Sequence, residues 1–251
     1  MLKAIKQSIL HWWNELDKKY FLGMLLFSLF VFFPLISQRL TNAYDGMWTT
    51  AEYWAGIWEL SNGRWLWPVT SFLRFSVQLE PINAVVCLAL VSLGTARLHM
   101  LFKSARMGTS CIDWLAGLCY VSNTVIACYL SFQFISPEYG FSFFLAVLAA
   151  EQAIRAEKMI AGIISGAVFL AMSLGLYQTN LACFCLVMLA YFLLLLFRNE
   201  EKQKIREHIC RSLASAASGA VLYLLILKVV LWATGTAMAD YQGGADVSVS
   251  G

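Results

Sequence analysis

The sequence predicts an all-α, polytopic membrane protein of about seven spans. Its 251 residues are 60% hydrophobic and only 13% charged, where a soluble domain carries about 25% charged residues. The apolar residues fall in continuous runs near the ~20 residues that cross a hydrocarbon core; they do not alternate, which excludes a β-barrel. The basic residues are also unevenly placed. With the N-terminus in the cytoplasm, 13 of the 18 Lys and Arg fall in inner segments, and only Arg39, Arg64 and Arg74 in outer ones. That is a positive-inside pattern.

Residues 1–20 read as a cytoplasmic amphipathic helix. Leu2, Ile5, Ile9, Trp12 and Leu16 recur at spacings of three and four, with lysines on other faces. The first span, 21–37, is uncharged and ends in Gln38-Arg39 without a small-x-small site, so it stays as a helix and is not a cleaved signal peptide.

The outer loop, 38–80, holds the most unusual stretch, "NAYDGMWTTAEYWAGIWELSNGRW". Thr49 and Glu52 fit a capping box and Asn62-Gly63 fits a helix stop, which predicts one helix over 50–61. Trp48, Ala51, Ala55 and Trp58 would form an aromatic stripe, and Glu52 and Glu59 an acidic one. Such a helix lies along the membrane surface, apolar side down. Residues 66–79 then return the chain to the bilayer, with Arg74 as their only charge.

The remaining spans are 82–101, 111–135, 138–154, 159–178, 180–197 and 212–235, and 236–251 form an outer tail. Ser136-Pro137-Glu138 reads as a helix start. None of the spans carries the Gly/Pro interruption of a discontinuous helix, and no internal repeat is visible, which weighs against a transporter. The inner segment "RNEEKQKIREH" reads as a mixed-charge, solvated helix. The seven cysteines fall in spans or at inner ends, as packing residues, and no Cys/His spacing suggests zinc. The reading therefore includes no metal, no cofactor and no nucleic acid.

Chemistry is expected in the outer loop. Asp45 sits just beyond the first span, where falling dielectric can tune a carboxylate as a base; its plain alternative is a turn residue before Gly46. Arg64 follows the helix stop, so a short helix brings it back toward Asp45. It either binds a phosphate in bidentate fashion or snorkels to headgroups. Glu52 is read as a cap first and a catalyst second. Tyr177-Gln178 ends a span on the same side, and Lys228 is a lone charge within a span, a phosphate partner or a snorkelling residue.

The order of these features, "YDG…W", an aromatic surface helix, "NGRW", a Pro-led span and "SLGLYQTN" at a later span end, resembles the bacterial type II glucosyltransferase membrane family. These are the O-antigen-modifying glucosyltransferases of the GT-C-like class. The resemblance implies an inner-membrane enzyme with a periplasmic site. The donor would be a sugar, typically glucose, on undecaprenyl phosphate, and the acceptor a hydroxyl of O-antigen or another surface glycan. Asp45 would be the base and Arg64 would hold the donor phosphate. Lys228 would help it, Tyr177, Gln178 and Glu52 would line the site, and a flippase is an implied membrane partner. Family members often carry a doubled acid where this chain has Asp45-Gly46, and are about twice as long, so the chain reads as the N-terminal part of such an enzyme. A lipid-linked sugar flippase or carrier, and a non-catalytic subunit or inactive fragment, are the competing readings.

Overall fold

In a computed structural model, residues 13–40, 53–75, 77, 80–103 and 110–239 are described. They form α-helices and one short 3-10 turn, without an extended strand. In order these are α1 (Lys18–Val31), α2 (Phe33–Ser37), α3 (Ile57–Ser61), α4 (Trp67–Leu73), α5 (Ile82–Lys103), α6 (Ser110–Val121), α7 (Thr124–Ser131), the 3-10 turn Gln133–Ile135, α8 (Ser136–Arg155), α9 (Met159–Leu176), α10 (Asn180–Phe197) and α11 (Lys202–Thr234). Among the described residues, five segments are long and apolar enough to cross a membrane: α5, the α6–α7 stretch Cys111–Ser131, α9, α10 and α11. The expected spans 21–37 and 138–154 fall outside that set; α1 stops after 14 residues, and α8 carries Glu138, Glu151 and Arg155.

The centre of the bundle is α8. It packs against α5, α7, α9, α10 and α11, and Ala146, Ala149, Ala150 and Ala153 on it are fully buried. Small residues let helix backbones approach closely where burial from water is not the driving force. Pro137 stands in the first turn of α8, as its sequence predicts.

Several expected elements are changed. The helix expected through 1–20 stops before Asp17, whose side chain caps α1 by accepting from Tyr20 N–H at 3.1 Å. The first apolar run breaks at Phe32, and Pro34 opens α2. The run 111–135 is not one helix. Ser122 Oγ bonds back to Leu118 O, and Asn123 caps a new helix by accepting from Val125 N–H at 2.8 Å and Ile126 N–H at 3.2 Å. Conversely, the solvated helix and the last span are one 33-residue helix, α11, closed by Gly235.

The loop helix also differs. Residues 53–56 are not helical, because Gly56 is extended, at φ −136° and ψ −144°. The helix starts at Ile57, and Glu59 reaches back to accept from Gly56 N–H at 2.6 Å. Glu59 is thus buried, not part of a solvated acidic face, while Trp54 and Trp58 face outward. The expected Thr49–Glu52 cap lies outside the described residues.

Candidate functional site

The turn after α3 is held from three sides. Gly63 takes φ +80°, the left-handed conformation that a helix stop requires. A side chain there would meet Tyr223 Oη at 2.5 Å and Gln178 Nε2 at 2.7 Å. Those two groups grip the turn. Gln178 Nε2 donates to Asn62 O at 2.8 Å and to Tyr223 Oη at 3.1 Å, and the Tyr223 hydroxyl donates to Gly63 O at 3.1 Å. The next residues dock on the end of α9. Leu66 N–H donates to Gly175 O at 2.9 Å, and the Trp65 ring lies against Gly175, where a Cβ would sit 2.5 Å from it.

This anchoring fixes Arg64. Its N–H donates to Glu59 O at 2.9 Å. Its guanidinium lies 4.5 Å from the Trp67 ring centroid and 5.8 Å from that of Tyr177, a cation–π placement. Tyr177 in turn packs edge-on against Tyr139 at 4.8 Å and Tyr129 at 6.2 Å. Arg64 Nε, Trp65 Nε1 and Trp67 Nε1 are buried and have no hydrogen-bond partner among the described residues. All three are donors. A buried donor left unmade is costly, and the charged one, Arg64, is suited to a ligand rich in acceptors, such as a phosphate.

At the other end of α4 stands a different pair. Arg74 Nε lies 3.0 Å from Glu138 Oε1, and Arg74 Nη2 donates to Phe134 O at 2.7 Å. Arg74 Nε, close as it is to that oxygen, Arg74 Nη1 and Glu138 Oε2 make no hydrogen bond among the described residues. Nearby, Tyr53 donates its hydroxyl to Glu59 Oε1 and packs on Phe134. Burial first, then the bond to Glu59, raises the Tyr53 phenol above its usual range. Glu80, just before α5, is pushed up to about 7 by burial, against the opposing pull of Asn83, the Ala84 N–H, Arg39 and Arg74.

Of the residues singled out in the sequence, Arg64, Tyr177 and Gln178 come together here. Lys228 follows Leu227, which packs toward Gly63, but points from the exposed face of α11. Asp45 and Glu52 lie outside the described residues. Sequence reasoning passed over Tyr223, Glu138 and Arg74 as site residues. A signal existed for the last two: each is a lone charge in an apolar stretch, which is expected to find a partner.

The family model for glucosyl transferase GtrII matches residues 43–251. No curated protein and no solved structure matches the chain.

Proposed function

The chain belongs to the glucosyl transferase GtrII family, and from that membership we propose that it moves glucose from undecaprenyl phosphate to a hydroxyl of O-antigen or another surface glycan. In this reading the site faces the periplasm, in the bacterial inner membrane, with the N-terminus in the cytoplasm. The observation that carries it is the donor-only stretch around Arg64. The phosphate of a lipid-linked sugar offers several acceptor oxygens and negative charge, which the Arg64 guanidinium can satisfy.

The transfer is a displacement at the anomeric carbon. The acceptor hydroxyl oxygen attacks that carbon, and the bond from it to the phosphate oxygen breaks. The electron pair leaves with the polyprenyl phosphate, and the hydroxyl proton passes to Asp45. Arg64 stabilises the charge that grows on the phosphate as it leaves. Because Gly63 and Leu66 fix the turn on both sides, little reorganisation is needed at that moment. Tyr177 walls the site beside the guanidinium, Gln178 holds the turn, and Lys228 adds positive charge at longer range.

The test uses the full chain in membranes, radiolabelled glucosyl undecaprenyl phosphate and an acceptor glycan. Label should move to the acceptor, and Arg64→Ala and Asp45→Asn should each abolish most of that transfer. Undiminished transfer in Asp45→Asn would remove the base assignment. Passage of intact labelled lipid between leaflets, without glucose transfer, would make the protein a carrier.

A further inference from the structure

At the end of the bundle away from Arg64, a cleft of about 170 Å³ lies between α8, α10 and α11. Ile154, Tyr191 and Leu195 line it, with three charged residues of α11, Lys204, Glu207 and Arg211. Helix α9 joins the two ends. A Cβ on Gly162, in its first turn, would stand 3.5 Å from Arg211 Cδ, while Gly175, near its last residue, lies against Trp65. From Gly162 to Gly175 the helix rises about 20 Å, at 1.5 Å per residue. The cleft also stands at the depth where spans stop, since α8 ends at Arg155 and α10 at Phe197. A ligand there meets water on one side and hydrocarbon on the other. Ile154 and Leu195 suit the hydrocarbon side, and the neighbouring Leu196, Phe197, Ile209 and Leu213 of α10 and α11 are exposed apolar side chains.

The charges say what the ligand is. Arg211 Nη1 donates to Ala156 O at 2.8 Å and Ala153 O at 3.2 Å, carbonyls at the end of α8 that need a donor. That fastens the guanidinium by one nitrogen. Its Nε and Nη2 make no hydrogen bond among the described residues, and no carboxylate there lies within ion-pair distance of Arg211. The Nε–Nη2 edge is a fork that takes a phosphate in bidentate fashion. Lys204 Nζ lies 3.1 Å from Glu200 Oε2, but this pair is at the surface, where it holds weakly, so the ammonium is free to turn. Glu207 accepts from Gln203 Nε2 at 3.0 Å, and His208 is turned to Met188 O at 3.2 Å. Two cations and one carboxylate leave the lining with one positive charge in excess. That matches a singly charged phosphodiester better than a dianion, which would crowd Glu207. We propose that this cleft is a phospholipid site, which holds the phosphodiester of an anionic lipid between Arg211 and Lys204. Basic pockets between spans are a recurrent way of holding such heads. A soluble phosphate shares the chemistry but makes no use of the apolar side. The N-terminus-inside orientation assigns the lipid to the cytoplasmic leaflet; the binding itself needs neither that orientation nor glucosyl transfer.

For the test, the full chain is delipidated in dodecyl maltoside and titrated with palmitoyl-oleoyl phosphatidylglycerol or phosphatidylcholine. Native mass spectrometry counts the bound lipid. Both lipids carry the phosphodiester, but only the first has a net charge, and it should bind about tenfold more tightly. Lys204→Gln should cut that preference about fivefold, the weight of one basic residue at an anionic lipid surface. Arg211→Gln should remove it. Should that variant lose the end of α8 and fail to fold, Arg211→Lys keeps the charge without the planar fork and should lower the preference about threefold. Lys202→Gln and Arg206→Gln, exposed on the same helix outside the cleft, should leave it unchanged. Equal binding of the two lipids would overturn the site, as would indifference to Lys204→Gln. Equal losses in Lys202→Gln and Arg206→Gln would replace it with a diffuse basic surface. Displacement of phosphatidylglycerol by inorganic phosphate at the lipid's own concentration would make it a soluble-phosphate site and overturn the lipid.

Discussion

The two ends of the bundle treat their arginines in opposite ways. At the end where α5 meets the last turns of α8, Arg97 is paired with a buried carboxylate. Its Nε donates to Glu151 Oε2 at 2.8 Å, its Nη2 pairs with Glu151 Oε1, and Arg155 donates to the same oxygen at 3.0 Å. Arg155 also reaches Met100 O at 2.9 Å, and Arg211 reaches Ala156 O at 2.8 Å. Carbonyls and carboxylate answer the cations there, and the helices are tied together. At the end with α3 and α4, Arg64 rests on aromatic rings with Nε unanswered, and Arg74 shares Glu138 with atoms to spare. A charge buried for structure is matched within the fold, because an unmatched one costs several kcal/mol. A charge held open in a built frame is expected where a ligand completes it.

The largest effect that tests this contrast is loss of the closed pair. Arg97→Ala leaves Glu151 buried with half its partners, which should cost about 3–5 kcal/mol. Arg64→Ala should cost the fold only the cation–π contact, about 0.5–1 kcal/mol, while transfer falls about 10²–10³-fold, as for loss of a preorganised charge-stabilising donor. Thermal unfolding in detergent, beside the transfer assay, measures both. If Arg64→Ala destabilised as much as Arg97→Ala, the open arginine would be structural after all.

Much of this frame was legible locally. Asn62-Gly63 announced a stop because a left-handed residue is needed there, and Ser136-Pro137 announced a start. Tyr177-Gln178 was legible as a polar pair at a span end. What held them was not legible. Tyr223 lies 160 residues from Gly63, and no local period encodes that meeting. The pairing of Arg74 with Glu138 is likewise a matter of tertiary packing. Hydropathy also misjudged continuity. It reads where a membrane would sit, not where hydrogen bonding stops, so it joined α6 to α7 across Asn123 and cut α11 at its charged first turns. Glu59 was misread because its role depends on Gly56 being extended.

An intermediate effect should come from the turn itself. Gly63→Ala places a Cβ in the left-handed region, against Tyr223 Oη and Gln178 Nε2, at a cost of about 1–3 kcal/mol. The turn should shift and carry Arg64 with it, so transfer should fall more than stability alone explains. Gln178→Ala removes one clamp without a clash and should cost about 1 kcal/mol. Equal transfer per folded molecule in Gly63→Ala would show that Arg64 needs no fixed frame.

Glu80 gives a milder contrast through pH. Its folded value, about 7, stands above the ordinary 4.5, so the folded state holds the proton more tightly than the unfolded one. Its protonated form therefore favours folding below about 4.5, and that contribution is lost as pH rises through 7. Glu80→Gln should flatten the stability profile between those values, with partial exposure keeping the difference small. An unchanged profile would mean that Glu80 ionises freely in the folded protein.

The smallest effect should be at Lys228. It sits on the exposed face of α11, on the turn whose Leu227 reaches toward Gly63, and no described contact joins it to Arg64. As a flexible point charge it acts through solvent or headgroups, where salt screens it within about 10 Å at 0.1 M. Lys228→Gln should change stability by less than about 0.5 kcal/mol and transfer by about twofold at low salt, fading as salt rises. A loss as large as that of Arg64→Ala, persisting at high salt, would break the contrast from the other side. Lys228 would then touch the phosphate directly, and the open end of the bundle would hold its ligand between α11 and the α3–α4 turn.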